Sequence, residues 1–314
     1  MATLELDGST SQGRVPDTRP RGTAKEAART AGRLLPLTPA IALMGVFLAG
    51  PIGYALYGSL TNAALSGYRA ANPEFVGIDN YTRLLTSGDF WHAAWLTLLF
   101  FGLSAVVGQN VLGMFLAVVQ NHAPKPVANV VGALVVGAWV MPEIVAAFAL
   151  YAFFASDGTL NAGLEAVGLA PASWLIDTPM LAVILANVWR GTAFSMLVFN
   201  AALAEVPPEI GEAAQIDGAT ALQRFFRITL PMVRRAISTN MMLTTLQTLG
   251  TFTLIFVMTS GGPGNRSTTL PVLAFQEAFK LAQIGYGTAI AVVTLAVGAL
   301  FAVLYVRVLK PEVD

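Results

Sequence analysis

Residues 212–231 read EAAQIDGATALQRFFRITLP and stand between two long apolar runs. Glu212, Ala213 and Ala214 lead to Asp217 and Gly218, then to Leu222, Phe225, Phe226, Ile228, Leu230 and Pro231. Just upstream, Pro207 and Pro208 suit the first turn of a helix, where a missing N–H costs nothing. A helix from about residue 208 to 216 gathers Ile210, Ala213, Ala214 and the stem of Glu212 by helical spacing. The two alanines leave room for another surface to come close. Gly218 permits a sharp turn at little steric cost. Asp217 or Thr220 can cap a second helix. On that helix Leu222, Phe225 and Phe226 form an apolar ridge, with Gln223, Arg224 and Arg227 on other sides. Pro231 is expected to break the helix. The expected product is a rigid helix–turn–helix. The competing reading is an amphipathic connector lying on a membrane, with Phe225 and Phe226 in lipid.

Outward from this stretch the chain is apolar. Its 314 residues are 55% hydrophobic and 11% charged, against roughly 25% charged in soluble domains. A soluble fold could not hide that much apolar surface, so the bilayer is the expected solvent. Six runs reach the ~20 residues that a spanning helix needs: 34–60, 94–120, 127–154, 179–203, 237–259 and 286–308. They are too long and too uniformly apolar for barrel strands. The expected architecture is all-α, with six transmembrane helices over 34–308, a loop at 205–231 and short tails at 1–33 and 309–314.

Lysine and arginine set the orientation. With six spans, Arg14, Arg19, Arg21, Lys25, Arg29, Arg33, Lys125, Arg224, Arg227, Arg234, Arg235, Arg307 and Lys310 fall on one side, and Arg69, Arg83, Arg266 and Lys280 on the other. The positive-inside rule then places both termini and the 204–236 loop in the cytoplasm. Residues 1–33 are rich in Arg, Thr, Gly and Ala and read as a disordered cytoplasmic tail. A signal peptide is disfavoured, because the first run exceeds a 7–15-residue signal core.

Site chemistry is sparse. Net charge is zero, which argues neither for nor against nucleic acid, and there is no cysteine for disulfides or thiolate metal sites. No lysine follows a glycine, so the phosphate-cradling Gly-Lys step of a P-loop is missing. His92 and His122 read as isolated loop residues without metal-ligand spacing. Two charges fall near the middle of spans. Arg190 lies near the middle of the fourth, where a charge costs about 2.5–3.5 kcal/mol on insertion scales. Glu143 lies near the middle of the third, after Pro142, and a neutralising Glu143–Arg190 pair beside the solute pathway is expected, with a purely structural lock as the competing role.

The stretch NVWRGTAFSMLVFNAALAEVPPEIGEAAQIDGATALQRFFRITLPMV, ending at Val233, resembles the signature of permease subunits of bacterial ATP-binding-cassette importers. The spacing from Glu212 through Gly218 to Ile228, Leu230 and Pro231 matches that family's EAA loop. TSGGPGNRST at 259–268 resembles the turn after the fifth span in sugar-type permeases, and so does the stretch holding Asn161 and Leu164. The first membrane subunit of maltose- and glycerol-phosphate-type systems fits best. One departure is Thr253, in a phrase where those relatives often carry an acidic residue.

The resemblance implies a type I importer permease fold and a protein that is not an enzyme. It implies a second permease subunit as heterodimer partner and two ATP-binding-cassette ATPase subunits, each gripping one EAA loop. It further implies an extracellular solute-binding protein, membrane lipid around the spans and no nucleic acid. ATP and magnesium would be held by the partner ATPase and no cofactor by this chain. The location implied is the bacterial cytoplasmic (inner) membrane, and the mechanism is alternating access driven through Glu212, Ala213, Ala214, Asp217, Gly218 and the Phe225/Phe226 ridge. Amide, hydroxyl and aromatic groups suited to a sugar occur at Asn187, Trp189, Asn200, Asn240, Gln247, Thr248, Thr251 and Thr253, with Gln109 and Asn110 as weaker candidates. Helix–helix hydrogen bonding is the competing role for each. The alternative functions are an ion-coupled secondary transporter, for which only Glu143 offers an intramembrane carboxylate, and a membrane-embedded enzyme, for which no catalytic cluster exists.

Overall fold

The computed structural model describes residues 35–309, and they are helical almost throughout. Among them the extended pairing is a single isolated bridge between Thr61 and Phe75. The expected tails at 1–33 and 309–314 lie outside these residues, apart from Leu309. The described residues divide into two units, 35–54 and 55–309. The described part of the first begins with a turn at Leu35–Leu37 and enters the apolar helix α1 (Thr38–Ser59), of mean hydropathy 1.7.

The second unit holds the rest. After α2 (Asp79–Thr86) comes α3 (Gly88–His122), then α4 (Lys125–Val140), α5 (Glu143–Phe154) and α6 (Thr159–Ala166). Next are α7 (Pro179–Ala204), α8 (Pro208–Ile216) and a helical run, α9, over 221–232. They are followed by α10 (Arg234–Leu249), α11 (Thr253–Thr259), a helical run α12 over 270–280, and α13 (Ile284–Leu309).

Four of the six expected spans are single helical runs: α1, α3, α7 and α13. At 35 residues, α3 is about 52 Å long. That exceeds the ~30 Å of hydrocarbon, so its ends must project beyond it. It begins at Gly88 rather than residue 94, which puts His92 and His122 on the helix and not in loops. The other two spans are not the continuous helices expected. The third run divides into α4 and α5 at Met141 and Pro142, both extended, with ψ of 137° each. Proline bars the helical bond and pushes its predecessor out of the helical region. The fifth divides into α10 and α11, bent by 51°. Here Gly250, Thr251 and Phe252 combine the weakest non-proline helix former with side chains that lose rotamer freedom in a helix.

The centre of the second unit is α7, which packs against α3, α4, α10 and α11. Its contact with α3 is nearly backbone to backbone. A Cβ on Gly113 would stand 2.5 Å from Ser195 Cβ and 3.0 Å from the Met196 nitrogen. Small residues at such crossings are what helices use where lipid offers no hydrophobic drive to associate. Three buried clusters result. One joins Phe100, Leu150, Val183, Leu254 and Ile255. A second joins Leu84, Phe90, Leu273 and Ile290, and a third joins Met114, Met196, Phe199 and Val233 under the 205–233 loop. Asn161 ties the segment between α5 and α7: its amide donates to the Ser156 and Ala172 carbonyls, and its oxygen accepts from Ala172 N and Trp174 Nε1.

Candidate functional site

The loop between α7 and α10 forms an elbow of two helices, each closed by its own local chemistry. Pro208 opens α8. At its far end Gly218 has φ of +82°, the left-handed value that glycine adopts without steric cost. The Ala219 N–H reaches the Ala214 carbonyl at 2.9 Å and the Gly218 N–H the Gln215 carbonyl at 3.0 Å. This double closure satisfies the last carbonyls of α8. Asp217 is the C-cap residue, so Thr220 alone caps the next helix. Its hydroxyl accepts from the Gln223 N–H at 3.3 Å, while the Gln223 side chain accepts from the Thr220 N–H at 2.9 Å, a reciprocal capping box.

Arg224, which the sequence places off the apolar ridge, clasps the elbow. Its Nη1 donates to the Gly211 carbonyl at 3.3 Å and to Gln215 Oε1 at 2.9 Å. The two helices are therefore held as one piece. Pro231 does not end α9 as expected. A π-helical segment, Phe225–Thr229, precedes it, and one more turn, Leu230–Met232, carries the proline in its first positions. The chain turns at Val233 instead, which is buried beneath the loop.

The apolar ridge divides by depth. Phe225 packs with Leu230 onto the cluster of Met114, Met196 and Phe199, with Phe226 edge-on to it at 5.1 Å. Ile228 is half-buried, while Leu222 and Phe226 are exposed. So are Glu212, Ala213, Asp217 and Gly218, with Ala214 half-buried. Ile216, at 87% exposure, has an apolar side chain with no internal partner surface. The elbow is thus rooted in the bundle through Phe225 and Leu230 and presents Ile216, Leu222 and Phe226 outward. Between elbow, α3 and α10 lies a cavity of about 1110 Å³, lined by apolar groups such as Phe115, Leu203 and Met241, with Asn110, Asn121, His122, Arg224 and Thr229 as its polar members.

The polar residues of the spans fall into two sets. One forms a buried network. Asn187 donates to Ser104 Oγ at 2.8 Å and Thr248 Oγ1 at 3.4 Å, and its carbonyl accepts from Gln109 at 3.0 Å. Asn240 donates to Asn110 Oδ1 at 2.9 Å and Ser195 Oγ at 2.8 Å. Asn110 in turn donates to the Ala105 carbonyl at 2.7 Å, within the π-helical segment of α3, Gly102–Gln109. Asn187, Asn240 and Thr248 therefore join helices; each is buried. Ser104 and Ser195, which the sequence did not single out, complete the network. Asn200 lies nearer the elbow, hydrogen-bonded to Gln120 and Asn121.

The second set gathers near the two helix breaks or faces outward. Gln247 and Trp189 are exposed, and Thr251 and Thr253 half-buried. Trp189 lines a small cleft with Leu134 and Thr192. Glu143 and Arg190 do not form the expected pair. Because Pro142 ends α4, Glu143 starts α5, and its Oε1 accepts from the Leu254 N–H at 3.2 Å. Arg190 keeps its Nε buried without a partner.

This arrangement, a helical bundle with a buried polar network and a clasped apolar elbow, has known counterparts. The model of the family described as binding-protein-dependent transport system inner membrane component matches residues 109–314. The chain is 34% identical to the trehalose/maltose transport system permease protein MalF of Thermococcus litoralis, over 74% of this chain and 79% of that protein. It is 31% identical to the sulfoquinovosyl glycerol transport system permease protein SmoG of Agrobacterium fabrum, over 89% and 90%. Among solved structures, a chain of a bacterial alginate ABC transporter, in complex with its alginate pentasaccharide-bound periplasmic protein, superposes with a TM-score of 0.72. Identity is 21%, and coverage is 91% of this chain and 96% of that one.

Proposed function

From the premise that this chain belongs to the binding-protein-dependent transport system inner membrane components, as the permease subunit of an ATP-binding-cassette importer in the inner membrane, we propose that it carries a sugar or sugar-like polar solute by alternating access. The observation that carries the solute class is its similarity, at 31–34% identity, to permeases named for trehalose, maltose and a sulfoquinovosyl glycerol. The chain is a transport subunit and not an enzyme.

The mechanism follows from the elbow. Two ATPase subunits dock below the membrane, and one receives Ile216, Leu222 and Phe226. Closure of the ATPases on ATP, with magnesium, moves the elbow as a piece, because Arg224 ties its two helices. Phe225 and Leu230 transmit the displacement to α3 and α7, and Val233 lies where the chain enters α10. Packed helices then rock between two discrete arrangements. A second permease subunit completes the pathway as a heterodimer, and an extracellular binding protein delivers the solute. Gln247, Trp189, Thr251 and Thr253 are the side chains on this half best placed to meet it. No cofactor is held by this chain.

An ion-coupled transporter would need a free intramembrane carboxylate. Glu143 accepts from a backbone N–H instead, and the family match favours the ATP-driven reading. The test is expression with the neighbouring genes, followed by purification and reconstitution. An ATPase and a second membrane subunit should co-purify, and ATP-dependent uptake should select one member of a labelled mono-, di- and oligosaccharide panel. Gradient-driven uptake by the chain alone would overturn the proposal.

A further inference from the structure

Both broken spans break where they meet. Glu143 is the first residue of α5, and its carboxylate reaches the backbone N–H of Leu254, the second residue of α11. That N–H has no turn before it to bond, because α10 stops at Leu249 and the chain bends before α11 begins. In a bundle surrounded by lipid, such a donor must be satisfied from within the protein. The third span supplies the acceptor for the fifth. Beyond the breaks, α5 and α11 pack as one body: Ala147, Leu150, Leu254, Ile255 and Met258 share a buried cluster. On the other side, α4 and α10 are separated from their continuations by extended backbone at Met141 and Pro142 and by the bend at Gly250–Phe252.

We infer that Glu143 is a positioning residue: its hydrogen bond to Leu254 locks α5 and α11 into one rigid piece, so that the Pro142 and Gly250 breaks act as a paired hinge in the transport cycle. The lock is a property of the chain itself. The hinge motion rests on the reading as an ATP-driven permease.

The chain has no cysteine, so once the partner subunits' cysteines are replaced, spin labels at introduced cysteines report on this chain alone. Labels at Ala152 on α5 and Val257 on α11 in the assembled transporter should give one narrow distance peak. Glu143→Ala should lose that peak to a broad distribution. Glu143→Gln should keep it, since its amide oxygen accepts the same bond. Adding Thr253→Asp to Glu143→Ala should leave it broad, because a carboxylate on the first residue of α11 can serve that helix's own N–H groups but does not bridge to α5; a restored narrow peak would overturn the lock. A peak in Glu143→Ala as narrow as in the native protein overturns the lock. If Glu143→Ala yields no folded protein, a broadened Glu143→Gln peak overturns it instead.

For the hinge, labels at Leu134 on α4 and Ala152 should change separation between nucleotide-free and ATP–vanadate states, while the 152–257 distance stays fixed. An unchanged 134–152 distance in a complex that hydrolyses ATP overturns the hinge. A complex without ATPase activity counts against the permease reading and leaves the lock to be judged on the 152–257 peak.

Discussion

At the scale of single residues, close approach and burial decide most. Gly113 is the sharpest case, because the added Cβ meets the Met196 backbone nitrogen, which cannot swing away as a side chain tip can. Gly113→Ala should force α3 off α7 at a cost of about 1–3 kcal/mol. Gly137 has open space around its Cβ position, so Gly137→Ala is the control, and thermal unfolding of the purified transporter compares the two. A pH effect resides at Glu277, in α12 beside the loop that follows α11. Burial raises its carboxyl above the ordinary 4.5, Arg83 pulls it back down and Asp89 adds to the rise. Its Oε2 is buried without a hydrogen-bond partner. A raised acid favours the fold in its protonated form. Its contribution is full below the ordinary value and is lost as pH climbs through the raised one. Glu277→Gln should therefore flatten the fall in melting temperature as pH rises from about 4 to neutrality. An unaltered pH profile would show that Glu277 carries none of it.

At the scale of elements, the elbow and the broken spans illustrate opposite lessons. The elbow is built from local signals, and each can be removed singly. Gly218→Ala places a Cβ in the left-handed region, at about 1–2 kcal/mol. Because nothing lies within 4 Å of that Cβ, the penalty is purely conformational. Gly218→Asn, which tolerates this region better, should recover part of it. Amide hydrogen exchange over residues 219–224 should speed up most in the alanine variant, and less ATPase should co-purify with it. Equal exchange in all three proteins would mean that the turn does not set the elbow's rigidity. The buried network acts between elements instead. Membrane hydrogen bonds of its kind average about 0.6 kcal/mol, so no single bond in it holds α3, α7 and α10 together. The Gly113 contact does more per residue, and the network fixes which faces meet.

At the scale of the whole molecule, orientation is the open prediction. The basic residues call for the elbow on the cytoplasmic side. With cysteines introduced singly at exposed positions, Asp157→Cys should react with an impermeant maleimide on intact spheroplasts, and Glu209→Cys only after permeabilisation. The reverse pattern would invert the topology. What the sequence determined alone is everything set by nearest neighbours and by solvent: the helical class, the positions of the apolar runs, the elbow with its glycine turn, and the expected family. Those signals are local in the chain, and a bilayer makes them strict, since every backbone group must be satisfied within its own helix or by a close neighbour. Pro142 and Gly250 were visible too, yet a uniformly apolar run gives no sign of which weak point a helix will yield at. Only the tertiary structure decided that both spans break, that Glu143 turns to Leu254 rather than to Arg190, and that Asn187 and Asn240 face other helices. Those choices depend on which donor or acceptor lies within 3 Å or so across a helix contact, and partners up to 130 positions apart in the chain leave no periodicity for a sequence to reveal.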